Sequence, residues 1–171
     1  MKLKPTYRTP FRRRREGKTD YKKRLRLLLS KEPRLVVRKS LNYIRAQIIQ
    51  FDKAGDKTLA TANSKELKKL GWKFACDNLP AAYLTGLLIG KRTLKKKINE
   101  VVLDSGLYPS VKGSRIYAMV KGALDAGLKV PYDEKISPSE ERIKGMHIKK
   151  FKELPVEFEK IKKKILGGKN A

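Results

Sequence analysis

A chain of 171 residues in which 43 Lys and Arg face 17 Asp and Glu, for a formal charge of +26, repels itself when compact and is tolerable only beside a polyanion. Hydrophobic residues at 40% exclude a wholly disordered basic polymer, and the sequence shows no membrane-length apolar run, no lipidation motif and no apolar stretch of a secretory signal. The expected partner is nucleic acid, with no membrane and no small-molecule substrate, and the expected compartment is the cytoplasm.

Residues 1–30 hold twelve Lys and Arg against two acids, with Arg12, Arg13, Arg14 and Arg15 in one run. Tyr7, Phe11 and Tyr21 interleave with these cations and offer flat faces for stacking on unpaired bases, so the segment reads as a basic arm that orders on RNA. Tyr21 to Ser30, with Leu25, Leu27, Leu28 and Leu29, predicts a short helix that docks the arm. Residues 31–131 read as an α/β core. Leu35 to Lys39, a turn at Ser40-Leu41-Asn42, and Tyr43 to Phe51 predict a hairpin, because Ile44, Ala46 and Ile48 alternate with Arg45 and Gln47 in the period of a half-buried strand. A second turn over Asp52 to Asp56 leads into a third strand, Lys57 to Ala62. Ser64 is the expected N-cap of a short helix over Lys65 to Leu70, closed by Gly71. Asn78 and Pro80 open a longer helix whose apolar residues wrap most of its circumference, which marks it as buried. Gly86 and Gly90 on that helix suggest close packing on the sheet. Val101 to Asp104 fits a short inner strand, and Ile116, Met119, Val120, Ala123 and Leu124 lay one stripe on a helix ending at Gly127. The order βββαβα implies a mixed sheet covered by helices. Residues 132–171 alternate acidic and basic blocks and read as an extension with short helices, fraying over residues 167–170.

Catalytic chemistry finds little footing. Cys76 is the sole cysteine and His147 the sole histidine, so Cys76 reads as a small buried hydrophobe rather than a nucleophile. A metal nuclease needs several converging carboxylates, for which Asp77, Asp104 and Asp125 are the candidates, each with an ordinary reading beside a helix end or strand junction. Around Gly113, between Lys112 and Arg115, the backbone amides either receive an RNA phosphate or form a plain turn. Lys91, Arg92, Lys95, Lys96 and Lys97 form a basic patch at a helix C-terminus, a position that favours cations in any case. Arg38, Lys39 and Arg45 flank the first hairpin turn beside Ser40, Asn42 and Tyr43, combining phosphate-binding cations with polar groups and an aromatic ring.

Five segments resemble a known family: PFRRRREGKTDYKKRLRLL at 10–28, LVVRKSLNYIRAQII at 35–49, LPAAYLTGLLIGKR at 79–92, VKGSRIYAMVKGALDAGLKVP at 111–131 and SPSEERIKGMHI at 137–148. The family is the universal 5S-rRNA-binding ribosomal protein numbered eighteen in the large-subunit series, in its archaeal form, related to eukaryotic large-subunit protein number five. The resemblance implies a three-layer α/β fold of ribonuclease-H-like type without its catalytic carboxylates. It implies a non-enzymatic constituent of the large ribosomal subunit, without metal or cofactor, that binds 5S rRNA and helps attach it to 23S rRNA in the central protuberance. Neighbouring large-subunit proteins, including another 5S-binding protein, are implied partners. The RNA-binding residues so assigned are Arg12, Arg13, Arg14, Arg15, Lys18, Tyr21, Arg24, Arg38, Lys39, Ser40, Asn42, Tyr43 and Arg45, to which the Gly113 turn adds Lys112 and Arg115. A general nucleic-acid-compacting protein and a metal-dependent RNA nuclease stand as alternatives.

Overall fold

A computed structural model describes residues 6–148, 151 and 153–167, so the predicted frayed end beyond Gly167 lies outside the described residues. Four strands form one mixed sheet: β1 (Arg34–Lys39), β2 (Ile44–Gln50), β3 (Lys57–Asn63) and β4 (Val102–Asp104), in the spatial order β3-β2-β1-β4. The first three run antiparallel, and β4 returns parallel to β1 after a helical crossover. The alternation read in the sequence sets the faces: Leu35, Val37, Ile44, Ala46 and Ile48 are wholly buried on one side of the sheet. β4 is an edge strand, not the inner strand its apolar run suggested; three residues pair with β1, and among the described residues β4 has no sheet neighbour beyond it.

Against the buried face lies α3 (Leu79–Lys95), opened by Asn78, whose side chain accepts from the Ala81 amide at 2.9 Å. α4 (Arg115–Asp125) crosses α3, and α5 (Glu140–Lys144) and α6 (Leu154–Gly167) also pack on α3. Leu154, Phe158, Ile161 and Ile165, spaced along one stripe of α6, are its buried residues, which is why α3 is apolar all round. Gly86 and Gly90 face α4, not the sheet: a Cβ on Gly86 would stand 2.0 Å from the Met119 carbonyl oxygen, and one on Gly122 would stand 2.1 Å from that of Tyr83.

The short helix after β3 is a 3-10 helix over Ser64–Leu70 capped by Asn63. Asn63 accepts from the Lys65 amide at 3.0 Å while Glu66 accepts from the Asn63 amide at 2.8 Å. Ser64, the expected cap, is instead buried and accepts the Ile44 amide at 3.0 Å, tying the helix to the start of β2. Gly71 closes the helix, as its sequence position suggested, and does so at φ 103, in the left-handed region.

Candidate nucleic-acid interface

Within residues 1–30, read above as a basic arm, the first helix among the described residues is α1 (Arg12–Arg15), whose four arginines are all exposed. Glu16 lies between Arg12, at 3.7 Å, and Lys18, at 2.8 Å, and the Arg13 Nε donates to the Thr19 hydroxyl at 2.9 Å. Phe11 packs on Tyr21 with ring centroids 5.2 Å apart, so two aromatic rings stand beside the arginine run. Asp20 then caps α2 (Tyr21–Leu29) by accepting from the amides of Lys22 and Lys23.

How α2 is held differs from its leucine pattern. Leu25 and Leu29 face outward, and only Leu27 and Leu28 are half-buried. Polar contacts do the rest: the Lys23 ammonium donates to the Ser105 hydroxyl and the Gly106 carbonyl, and Arg24 donates to Asp56 at 2.8 Å. Asp56 also accepts from Arg34 at 2.7 Å, and Arg34, its side chain 3% exposed, donates to Asp104 at 2.9 Å. Arg38 reaches the Asp104 backbone carbonyl at 3.0 Å, and the Gly106 amide donates to the Asp104 carboxylate at 2.8 Å. One chain of alternating charges thus ties the arm helix to the sheet.

That chain lies on the sheet face turned away from α3. Between the arm and this face runs a groove of about 600 Å³ lined by Arg13, Lys18, Tyr21, Arg24, Arg38 and Phe51, with the acids Asp20, Asp52, Asp56 and Asp104 also in its wall. Arg38 stands directly opposite Arg45 across β1 and β2. Arg45 is exposed and has no ion-pair partner among the described residues. Lys39 pairs in register with the buried Ile44 and so projects to the opposite side, where its ammonium sits 5.0 Å from the Tyr108 ring. The hairpin cations are therefore split between two faces. At the turn, the Ser40 hydroxyl donates to the Tyr43 carbonyl and accepts the Tyr43 amide, which occupies Ser40 in holding the turn, while Asn42 is exposed at its tip.

The turn at Gly113 has φ 68, but its amide donates to the Ile136 carbonyl at 2.9 Å and the Ser114 amide to that of Val111. Those two amides are engaged inside the fold, which removes them as phosphate donors. Arg115 donates to the Asp77 backbone carbonyl at 2.6 Å, whereas Lys112 is exposed and unpaired among the described residues. In the basic patch at the C-terminal end of α3, Arg92 donates to the Thr61 carbonyl at 2.7 Å and Lys96 to that of Leu59. These two cations cap the outer edge of β3, a structural duty that blunts an exposed strand. Lys91 likewise donates to the Leu166 carbonyl.

Each candidate nuclease carboxylate has its own partner: Asp77 with Arg115, Asp104 with Arg34, and Asp125 with the Tyr83 hydroxyl at 2.7 Å and Lys121 at 3.7 Å. Burial first, and Asp125 second, push the Tyr83 hydroxyl well above the ordinary tyrosine range. Burial raises the Cys76 thiol, in keeping with an inert core residue. Sequence reasoning missed Arg34 and Lys23 as the anchors of the arm. The spacing of Arg34, Val36 and Arg38 along one face of β1 carried that signal, but Arg34 stood just before the apolar run that defined the strand.

Residues 5–102 match the family described as ribosomal large subunit proteins 60S L5 and 50S L18. The large ribosomal subunit protein uL18 of Methanococcus maripaludis is 54% identical over 153 residues, covering 90% of this chain and 79% of the relative.

Proposed function

The chain belongs to the family of ribosomal large-subunit proteins 60S L5 and 50S L18, and from that premise we propose that it holds 5S rRNA and joins it to 23S rRNA in the central protuberance. As a large-subunit ribosomal protein its surroundings are rRNA and other ribosomal proteins, and we take one of the latter to be a second 5S-binding protein. The division into an arm at 1–30, a core at 31–131 and an extension at 132–171 belongs to the same reading.

The observation that carries it is the sheet face turned away from α3, where Arg38 and the exposed Arg45 stand opposite each other beside a groove bounded by the arginine arm. Guanidinium groups spaced along a concave, partly aromatic wall suit a folded RNA whose backbone presents phosphates and whose loops present unstacked bases. In this reading Arg12 to Arg15, Lys18 and Tyr21 grip from the arm, and Arg24 and Arg38 line the groove with their partial protein pairings. Ser40, Asn42 and Tyr43 shape the hairpin tip, and Lys39, Lys112 and Arg115 reach RNA on the other face. Nothing in the geometry favours a nuclease, since the Asp104 carboxylate is occupied by Arg34 and the Gly106 amide.

Titration of the full chain against 5S rRNA, an unrelated RNA of equal length and duplex DNA tests this. 5S rRNA should bind tightest and remain uncleaved in magnesium; equal affinity for all three would instead mark a general compacting protein. Arg45→Ala should weaken 5S rRNA binding while leaving stability within about 0.5 kcal/mol, because Arg45 is exposed and unpaired.

A further inference from the structure

On the far side of the hairpin from the arm, Lys39, Arg115 and Arg142 converge on a pocket of about 270 Å³ whose other lining residues are Leu79, Pro109, Val111, Gly113, Ser114 and Ile116. Three cations line it and no acid does. Arg115 is partly neutralised by Asp77, at 3.3 Å. Lys39 and Arg142 have no acidic partner among the described residues, so two full positive charges face one small cavity. Bringing like charges together raises the energy of the free protein, and an anion between them removes that cost.

The walls are built rather than incidental. Tyr108 donates its hydroxyl to the Lys39 carbonyl at 2.7 Å, and its ring lies beneath the Lys39 ammonium, holding that side chain at the rim. Arg142 is brought in by α5 and lies against Gly113, where a Cβ would stand only 3.2 Å from Nη1 of Arg142. Gly113 meets both demands of the site, its positive φ and the close approach of the guanidinium. The Ser114 hydroxyl oxygen at the same wall is buried and has no hydrogen-bond partner among the described residues.

We infer that this pocket clamps a backbone phosphate of ribosomal RNA between Lys39 and Arg142, at a contact separate from the arm and the sheet face turned away from α3. The inference rests on the rRNA-binding reading above. It extends that reading to Arg142 and gives Lys39 a role its side of the sheet allows. A guanidinium fork and an ammonium on two sides of one cavity suit a tetrahedral oxyanion, and a phosphate clamp holds the backbone without reading sequence.

The test uses the full chain carrying Lys39→Gln with Arg142→Gln, and a control carrying Lys160→Gln with Lys163→Gln, which removes the same charge from the exposed side of α6. Affinities for 5S rRNA and for an unrelated RNA of equal length are measured at four salt concentrations, with thermal melting of each variant. The pocket variant should lose about tenfold in affinity and about one unit of log-affinity against log-salt slope on both RNAs, and the control should do neither. Arg142→Gln alone, at an exposed and unpaired position, should show part of the loss with an unchanged melt, which guards against a folding defect at Lys39. Wild-type slope and affinity in the pocket variant would overturn the clamp, as would an equal loss in the control, and either would leave an acidic protein segment as the remaining occupant. Failure of the wild type to prefer 5S rRNA sinks the parent reading alone, because the slope difference on either RNA still judges the pocket.

Discussion

Asp104 ends β4, where a metal nuclease could set a ligand, yet its surroundings give it a different task. Its carboxylate meets Arg34 at 2.9 Å, and Arg34 is among the few charged residues buried in the core. An ion pair at this depth contributes little net stability over an apolar pair, but removing one member leaves the other charge stranded. Asp104→Ala should therefore destabilise the chain by about 3 kcal/mol, the lower end of the usual range because Arg34 keeps Asp56 at 2.7 Å. Denaturant unfolding of the two proteins measures the difference, and a loss below about 1 kcal/mol would mean that Asp56 alone compensates Arg34. The same residue thus explains why the arm helix rests where it does, since Arg24 and Arg34 share Asp56.

Among the elements, the crossing of α3 and α4 depends on two missing side chains. Gly86 and Gly122 let each helix backbone lie against the other, and any Cβ there would overlap a carbonyl group that cannot yield without moving a helix. Gly86→Ala should cost 1–3 kcal/mol or somewhat more by overpacking, although alanine is the better helix former in isolation. A melting temperature raised by this change would show that the helices are not in contact at that point. The sequence marked Gly86 as a packing position but assigned it to the sheet, because a helix apolar on every side does not say which neighbour lies on which side. The strands were legible for the opposite reason: alternation along β1 and β2 states the buried face directly. β4 was not, since three apolar residues fit an inner or an edge strand equally well. Parity also separated Arg38 from Lys39, as neighbours on a strand must face opposite ways, but grouping both with Arg45 by their nearness to the turn hid that separation. The role of Arg92 and Lys96 was out of reach, because their acceptors lie on β3, some thirty residues earlier in the chain.

At the scale of the whole molecule the charge is unevenly employed. Many cations of the folded part are committed to carbonyls or acids: Arg34 and Arg38 to Asp104, Arg92 and Lys96 to the edge of β3, Arg115 to Asp77, and Lys164 to the Leu70 carbonyl. The arm contrasts with this. Residues 1–30 carry twelve cations against two acids, and the four arginines of α1 are exposed, with one weak ion pair among the described residues, Arg12 to Glu16, and one hydrogen bond, Arg13 to Thr19. Such groups add little to the stability of the free protein, so their effect must be sought in binding. Each phosphate they neutralise releases counterions, by about 0.7 to 0.9 unit of slope in log affinity against log salt. Replacing Arg12, Arg13, Arg14 and Arg15 together by Gln should flatten that slope for 5S rRNA by about 3 units if all four engage phosphates. The melting temperature should hardly change, because none of the four is buried. The preference for 5S rRNA over an unrelated RNA of equal length should survive, since the sheet face turned away from α3 and its groove remain, although absolute affinity falls at low salt. Titrations of both proteins at four salt concentrations separate the outcomes. An unaltered slope would make the arm a passenger, and loss of preference with the slope would place selectivity in the arm instead of the sheet.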